Sequence, residues 1–237
     1  SWRSAHQEPI AAGTLLSAAM SNQPSVLGQV QAPAQQTLDV AGVGDGLRIE
    51  PLTRAELNTD VMREMGSLTH DGFGGKRCCL CLHEGEHAIQ SSLRAAYAKF
   101  PDSKLEVCGL ARDADGRILG FAQLGFHDTP GDWELTQIGL AEKPKIGMSH
   151  LERIVVGANA RGKGVGKKLL AWVDDKSRER GCSEVKLEVV SGNSGAKRLY
   201  ERHGYVTTAG PCGRCAMCPF TFCLMGHIYA DTMVKPL

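Results

Sequence analysis

Two rhythms of apolar residues run through the chain between residues 46 and 237. One has a period of two, as a half-buried strand requires; the other recurs every three or four residues, as a one-sided helix requires. Residues 46–51 alternate around Leu47 and Ile49 and predict a first strand. Val61, Met62, Met65 and Leu68 then trace one helix face, with Thr53 or Thr59 as its N-cap. Helical spacing resumes over residues 88–100 and stops at Pro101, whose ring cannot continue it. Residues 105–111 and 117–126 alternate again, and the D-A-D-G sequence between them predicts a hairpin turn. Residues 127–147 carry Pro130, Gly131, Pro144 and Gly147 without periodicity and read as a long loop. Residues 151–156 (L-E-R-I-V-V) are an apolar, β-branched run suited to a buried strand. Residues 167–180 place Leu169, Leu170 and Val173 on one helical face, with Trp172 beside them. Residues 184–190 alternate, and residues 229–237 predict a closing strand. Interleaved strands and helices of this kind predict an α/β (α+β) domain, a sheet flanked by helices.

Between the strand at 151–156 and the helix that follows stand Gly157, Gly162, Gly164 and Gly166. A glycine turn entering a helix aims backbone N–H groups and the positive helix end at one point, which suits a phosphate or pyrophosphate. Lys163, Lys167 and Lys168 add positive charge there. The mononucleotide pattern G-x-x-x-x-G-K-[ST] fails because Gly164 stands where a hydroxyl should hold Mg²⁺, and G-x-G-x-x-G fails on glycine spacing. What fits is R-x-x-G-x-G, as Arg161, Gly164 and Gly166. Further on, Asn193, Ala196, Leu199, Tyr200, Gly204 and Tyr205 follow in order within residues 193–205. Together these two motifs, each in a strand–turn–helix setting, resemble the GNAT superfamily of acetyl-coenzyme A N-acetyltransferases. The likeness is close over residues 151–205 and looser back to about residue 47.

That resemblance implies a GNAT fold, with a mixed, mostly antiparallel sheet splayed between strands 4 and 5 just beyond Val156. It implies acetyl-CoA as co-substrate, its pyrophosphate held by Arg161, Gly162, Lys163, Gly164, Val165 and Gly166. Ile154, Val155, Val156, Asn193 and Tyr200 would line the pantetheine arm, with the N–H of Val155 or Val156 polarising the thioester carbonyl. The acceptor would be an amine: a small amine, an amino sugar, or a protein N-terminus or lysine. A lysine-like amine with pKa about 10.4 is neutral at pH 7 in about 1 part in 2,500, equivalent to about 4.6 kcal/mol, so a base is needed. Glu152 is the first candidate, with His150 on the same strand face as its rival. Tyr200 is the candidate acid for the departing thiolate. His70, Asp71 and Phe73, and Trp133 and Glu134 in the long loop, are acceptor-side candidates. A coenzyme A-binding regulatory module of the same fold, without acceptor chemistry, is the alternative function.

Composition narrows the partners. Formal net charge is +1, so neither nucleic acid nor a membrane surface is expected as a partner; a monomer and a homodimer are both compatible. Residues 1–45 are rich in Ala, Gln, Ser, Gly and Pro, with Arg3 the only Lys or Arg and Trp2 the only aromatic. Too little apolar surface is available there to offset the entropy of ordering, so a disordered leader is expected. Its Ser/Ala-rich, acid-poor character also fits a transit segment, against which the shortage of arginine counts. Nine cysteines, an odd number without a secretory signal, point to a reducing compartment: cytoplasm, or plastid or mitochondrion if the leader is a transit segment. Cys108 and Cys182 read as small buried hydrophobes. Cys78 and Cys81 lie near His83, and Cys212, Cys215, Cys218 and Cys223 fall in an insertion at 211–226, with His227 beside it. Metal spacing is incomplete in the first cluster, and the second reads as thiols in a hairpin tip, so no metal site is assigned. Elemental analysis of protein purified without chelator should accordingly find no stoichiometric zinc; one equivalent per chain would overturn that reading.

Overall fold

The computed structural model describes residues 46–74, 85–130, 143–190, 192–209 and 230–237, all within the compact unit Thr37–Leu237. The leader, Trp133, Glu134 and both cysteine clusters with His83 and His227 lie outside the described residues, as does the side chain of Phe73.

One sheet carries β1 (Arg48–Pro51), β2 (Cys108–Arg112), β3 (Ile118–Gly125), β4 (Met148–Val156), β5 (Glu184–Val190), β6 (Val206–Ala209) and β7 (Ala230–Pro236). Their spatial order is β1-β2-β3-β4-β5-β7-β6, and only β4 and β5 run parallel. The helices are α1 (Asp60–Thr69), α2 (Glu86–Ala98), α3 (Asp102–Leu105), α4 (Val165–Glu179) and α5 (Ser194–Arg202). The mixed, mostly antiparallel sheet flanked by helices is the architecture expected.

Local chemistry explains most boundaries. Both candidate threonine caps are used: Thr53 shares a capping box with Glu56 at a short 3-10 turn, and the Thr59 side chain accepts from Val61 N at α1. Residues 102–105 form the single turn α3, so Leu105, expected to open the second strand, closes a helical turn instead. Pro101 has an extended backbone suited to an N-cap, and Asp102 places negative charge on the first turn. That turn buries Lys104 and Leu105, and β2 begins only at Cys108.

Strand alternation creates two cores, one on each face of the sheet. Ala122, Leu124, Leu151, Val185, Leu187 and Val189 pack with Leu169, Leu170 and Val173 of α4 and Tyr200 of α5. Leu110, Phe121 and Val155 pack on the other face with Met62, Met65, Leu93 and Tyr97 of α1 and α2. Asp174 of α4 pairs with His203 at 2.9 Å and also with Lys235, so it ties the end of α5 and strand β7 to the first face. Burial alone would raise the Asp174 carboxyl, but these hydrogen bonds and charges outweigh it and hold the group below its ordinary value.

Gly109 brings β2 close against α4. A Cβ there would sit 2.9 Å from the Trp172 ring, so the indole lies directly on the strand backbone. Gly109→Val should destabilise the domain by about 1–3 kcal/mol through overpacking. Urea unfolding would show this as a lower midpoint at unchanged slope.

Candidate active site

Strands β4 and β5 form a fork. Their parallel ladder pairs Met148 with Glu184, Ser149 with Val185, His150 with Lys186 and Leu151 with Leu187, and ends there. Since β4 continues to Val156 and β5 to Val190, the strands part at Glu152 and not beyond Val156. A β-bulge causes the early parting. Gln123 of β3 opposes Arg153 while Leu124 opposes Leu151, which leaves Glu152 as the extra residue. Such a bulge bends its strand and increases its twist. It also reverses which residues face α4. Before the bulge, Ser149 bonds to Ser177 of α4 and Leu151 joins that core; after it, Ile154 and Val156 do.

The fork exposes main chain. Gly157 N donates to Leu119 O at 2.9 Å. By antiparallel alternation, Val155 and Arg153 also bond toward β3, whereas Ile154 and Val156 turn their N–H and C=O groups into the fork. The Val155 amide therefore does not reach the place expected of it; Ile154 and Val156 do. Val156 O accepts from Arg161 Nε at 3.2 Å, which ties the glycine turn back to the strand. The Glu152 side chain is only 2% exposed although the residue as a whole is partly open, so what faces solvent there is its backbone.

The turn itself is a 3-10 stretch, Ala158–Ala160, followed by Gly162 at φ 76° and Gly164 at φ 82°. Both angles are left-handed, and L side chains rarely adopt them. Gly164 is the N-cap of α4 and supplies no side-chain cap. Among the described residues nothing accepts from the N–H groups of Gly162, Gly164, Val165, Gly166 or Lys167. These five donors, at the positive end of a fifteen-residue helix, form a cradle for an anionic group. Gly166 lets α5 close in, since a Cβ would lie 3.0 Å from Leu199 Cδ2. Lys163 and Lys167 are exposed around the turn. Lys168 is not part of that field: it is buried, and its Nζ donates to Leu47 O at 3.1 Å. Asn193 caps α5 by accepting from Ala196 N at 3.4 Å.

The three candidate proton-moving groups lie on β4 and α5. Glu152 is not the open carboxylate the sequence suggested. Lys104 Nζ, from α3, donates to its Oε1 at 2.8 Å and its Oε2 at 2.7 Å. His150 places Nε2 2.5 Å from Glu188 Oε2, a contact across the strands at the point of parting. Burial would raise the Glu188 carboxyl, but the hydrogen bond and charge of His150, with Lys186, outweigh it and keep it below its usual value. Tyr200 lies in α5 on the α4 face, and its phenol is pushed up to about 12 by burial. Its hydroxyl makes no hydrogen bond among the described residues. On the opposite face the π-helical turn His70–Gly74 lies over the end of β4, where a Cβ on Gly72 would be 3.1 Å from Val155 Cγ1. There His70 Nδ1 is 3.6 Å from Asp71 Oδ1.

The family model for the acetyltransferase (GNAT) family matches residues 82–205, just over half of the chain. The chain belongs to that family. It is 32% identical over 96 residues to streptothricin acetyltransferase of Streptomyces lavendulae, covering 40% of this chain and 42% of that protein. With mycothiol acetyltransferase of Rhodococcus jostii it shares 32% over 112 residues, 47% of this chain and 32% of that one. The chain thus spans less than half the length of these curated relatives. Among solved structures it superposes on a chain of the NatC complex bound to Gag peptide and CoA, at TM-score 0.54 and 18% identity. That match covers 81% of this chain and 99% of the other. A GCN5-related N-acetyltransferase from Kribbella flavida matches at TM-score 0.50 and 21% identity, over 81% and 98%. At these identities the likenesses speak for the GNAT fold alone. Among the described residues no helix is long and apolar enough to cross a membrane.

Lys104 and Glu188 escaped the sequence reading. Glu188 carried a usable signal, because it is a polar position of the alternating strand 184–190 on the face that parallel pairing gives to His150. Lys104, in a short P-D-S-K-L turn, carried none.

The cradle yields a direct test. Gly164→Val should remove measurable acetyl-CoA binding by titration calorimetry while circular dichroism stays native, because the variant strains a left-handed backbone and crowds the open amides. Unchanged affinity would mean that these donors hold no phosphate.

Proposed function

We propose that this chain is an N-acetyltransferase that moves the acetyl group of acetyl-CoA to a primary amine by direct attack in a ternary complex. The observation that carries the reading is the fork, with main-chain N–H groups of β4 turned into it and five amides at the turn beside it that have no acceptor among the described residues. Acetyl-CoA, when bound, supplies an activated thioester. Gly162, Gly164, Val165, Gly166 and Lys167 would hold its pyrophosphate through their N–H groups, with Arg161 and Lys163 adding positive charge. Ile154 and Val156 would direct N–H groups toward the thioester oxygen, where negative charge develops as the amine attacks. Asn193, Leu199 and Tyr200 would lie along the pantetheine arm.

Two side chains move protons. An imidazole that donates Nε2–H to Glu188 keeps its lone pair on Nδ1, so His150 can take the proton of the attacking amine while Glu188 fixes its tautomer. Glu152, with both oxygens engaged by Lys104, is the weaker candidate for that task. Tyr200 is protonated throughout the neutral range, because its phenol titrates only at about 12, and it donates to the departing thiolate. Amine deprotonation and thiolate protonation thus fall to groups on opposite faces of the sheet.

Free-thiol release from acetyl-CoA with a panel of amines tests the activity, and tight binding without turnover would instead support the coenzyme A-binding module. Tyr200→Phe keeps the ring and deletes the donor, and its rate should fall by about 10²–10⁴, mainly in kcat. The Tyr200 proton is lost only as pH approaches about 12, so that defect should be constant between roughly pH 6 and 10. His150→Ala should lose activity most at low pH and recover as the amine deprotonates unaided. Full activity in the Tyr200→Phe enzyme would remove the acid from the mechanism.

A further inference from the structure

Lys104 and Glu152 are a buried ion pair in a place where hydrophobic residues would serve the core as well. Their side chains are 0% and 2% exposed. Replacing such a pair with apolar residues of similar size is commonly neutral or stabilising, so its presence calls for a role other than stability. Its surroundings show what it fixes. The Lys104 ammonium has a third acceptor, Leu124 O, at 2.9 Å, just past the end of the β2–β3 ladder. Gln123 Nε2 supports the same corner by donating to Leu124 O at 2.9 Å and Lys104 O at 3.2 Å. Tyr97 OH donates in turn to Gln123 Oε1 at 3.1 Å. Gln123 and Leu124 are the two residues between which the β3–β4 register slips, and Glu152 is the residue the slip leaves over. Gly125 completes the socket, because a Cβ there would collide with Glu152 Oε1.

We propose that Lys104 is a positioning residue which, by clamping the Glu152 carboxylate, sets the β-bulge that aims the main-chain N–H groups of the fork at the acetyl carbonyl. The inference rests on the acetyl-CoA reading above. The bulge bends β4 away from β5, and it sets the strand phase that turns the amides of Ile154 and Val156 into the fork. Without the clamp, Glu152 loses both hydrogen bonds from Lys104, and β4 can slip toward regular pairing with β3. Slippage by one residue exchanges which amides face the fork.

The test uses the full chain and three variants. Lys104→Met/Glu152→Leu replaces the pair by apolar groups, Glu152→Gln keeps the shape and weakens the clamp, and Lys104→Arg is the conservative control. The readout is the carbonyl stretch of isotope-labelled acetyl-CoA on the protein, measured beside its affinity and beside steady-state kinetics. Wild type should bind acetyl-CoA with the carbonyl stretch shifted to lower frequency. In the double variant that shift should vanish and kcat should fall at least about tenfold, as for loss of an oxyanion donor, while the dissociation constant changes less than threefold. Lys104→Arg should restore most of the spectral shift. A double variant that binds and keeps both shift and kcat overturns the clamp. Should the double variant not fold, Glu152→Gln decides: an unchanged stretch in that variant overturns it equally. Wild type that fails to bind acetyl-CoA at all refutes the functional reading itself, a separate outcome from failure of the clamp.

Discussion

Every buried backbone N–H and C=O group must find a partner, and a strand inside a sheet normally finds one on each side. Along β4 that condition is met on the β3 side and abandoned on the β5 side after Leu151. The rest of the molecule is arranged around this one unmet row. The glycine turn lies at the end of the same strand, so its orphan amides continue the row. Helix α5 covers the outer side through the Gly166–Leu199 approach, and the His70–Gly74 turn covers the other. Among the described residues these donors have no acceptor, and a thioester with a pyrophosphate tail would supply one.

The two proton-moving candidates differ in how their surroundings prepare them. Tyr200 is made a persistent donor by dehydration alone, with burial as the cause of its raised phenol. His150 is prepared by a neighbouring charge, and the short contact to Glu188 spans the two strands at the last point where they remain paired. Separation of the fork and orientation of the imidazole are therefore coupled through the same pair of strands. Burial holds the proton on the Tyr200 phenol, and pairing with His150 and Lys186 keeps the Glu188 carboxyl below its usual value, one device on each face of the sheet.

Much of this was legible in the residues. The turn at Arg161–Gly166 was readable because glycines at those spacings have few other uses, and Gly162 and Gly164 do adopt the left-handed angles. Helix α5 was readable because Asn193 is a strong cap and Tyr200 follows at helical spacing. The bulge was not legible. L-E-R-I-V-V looks like an uninterrupted strand, and the extra residue appears only when β3 is laid beside it. Of the two candidate amides, Val155 for that reason fell out of phase, while Val156 does face the fork. Lys104 was hidden for a related reason, since a long-range ion pair leaves no periodic trace, and a single turn such as α3 is too short to show helical spacing.

The order β5-β7-β6 has a consequence for how the molecule is made. Strand β7 inserts between β5 and β6, although it follows both in sequence. Residues Glu184 to Val190 pair along their whole length with β7, but only in part with β4. Until β7 emerges from the ribosome, one arm of the fork has an open edge, and the cleft has no second wall. Pairings this distant in sequence close late and slowly. An N-terminal fragment that already contains both signature motifs would therefore expose an unpaired strand, a feature that invites aggregation during synthesis. The ligand cleft can take shape only as the final strand docks.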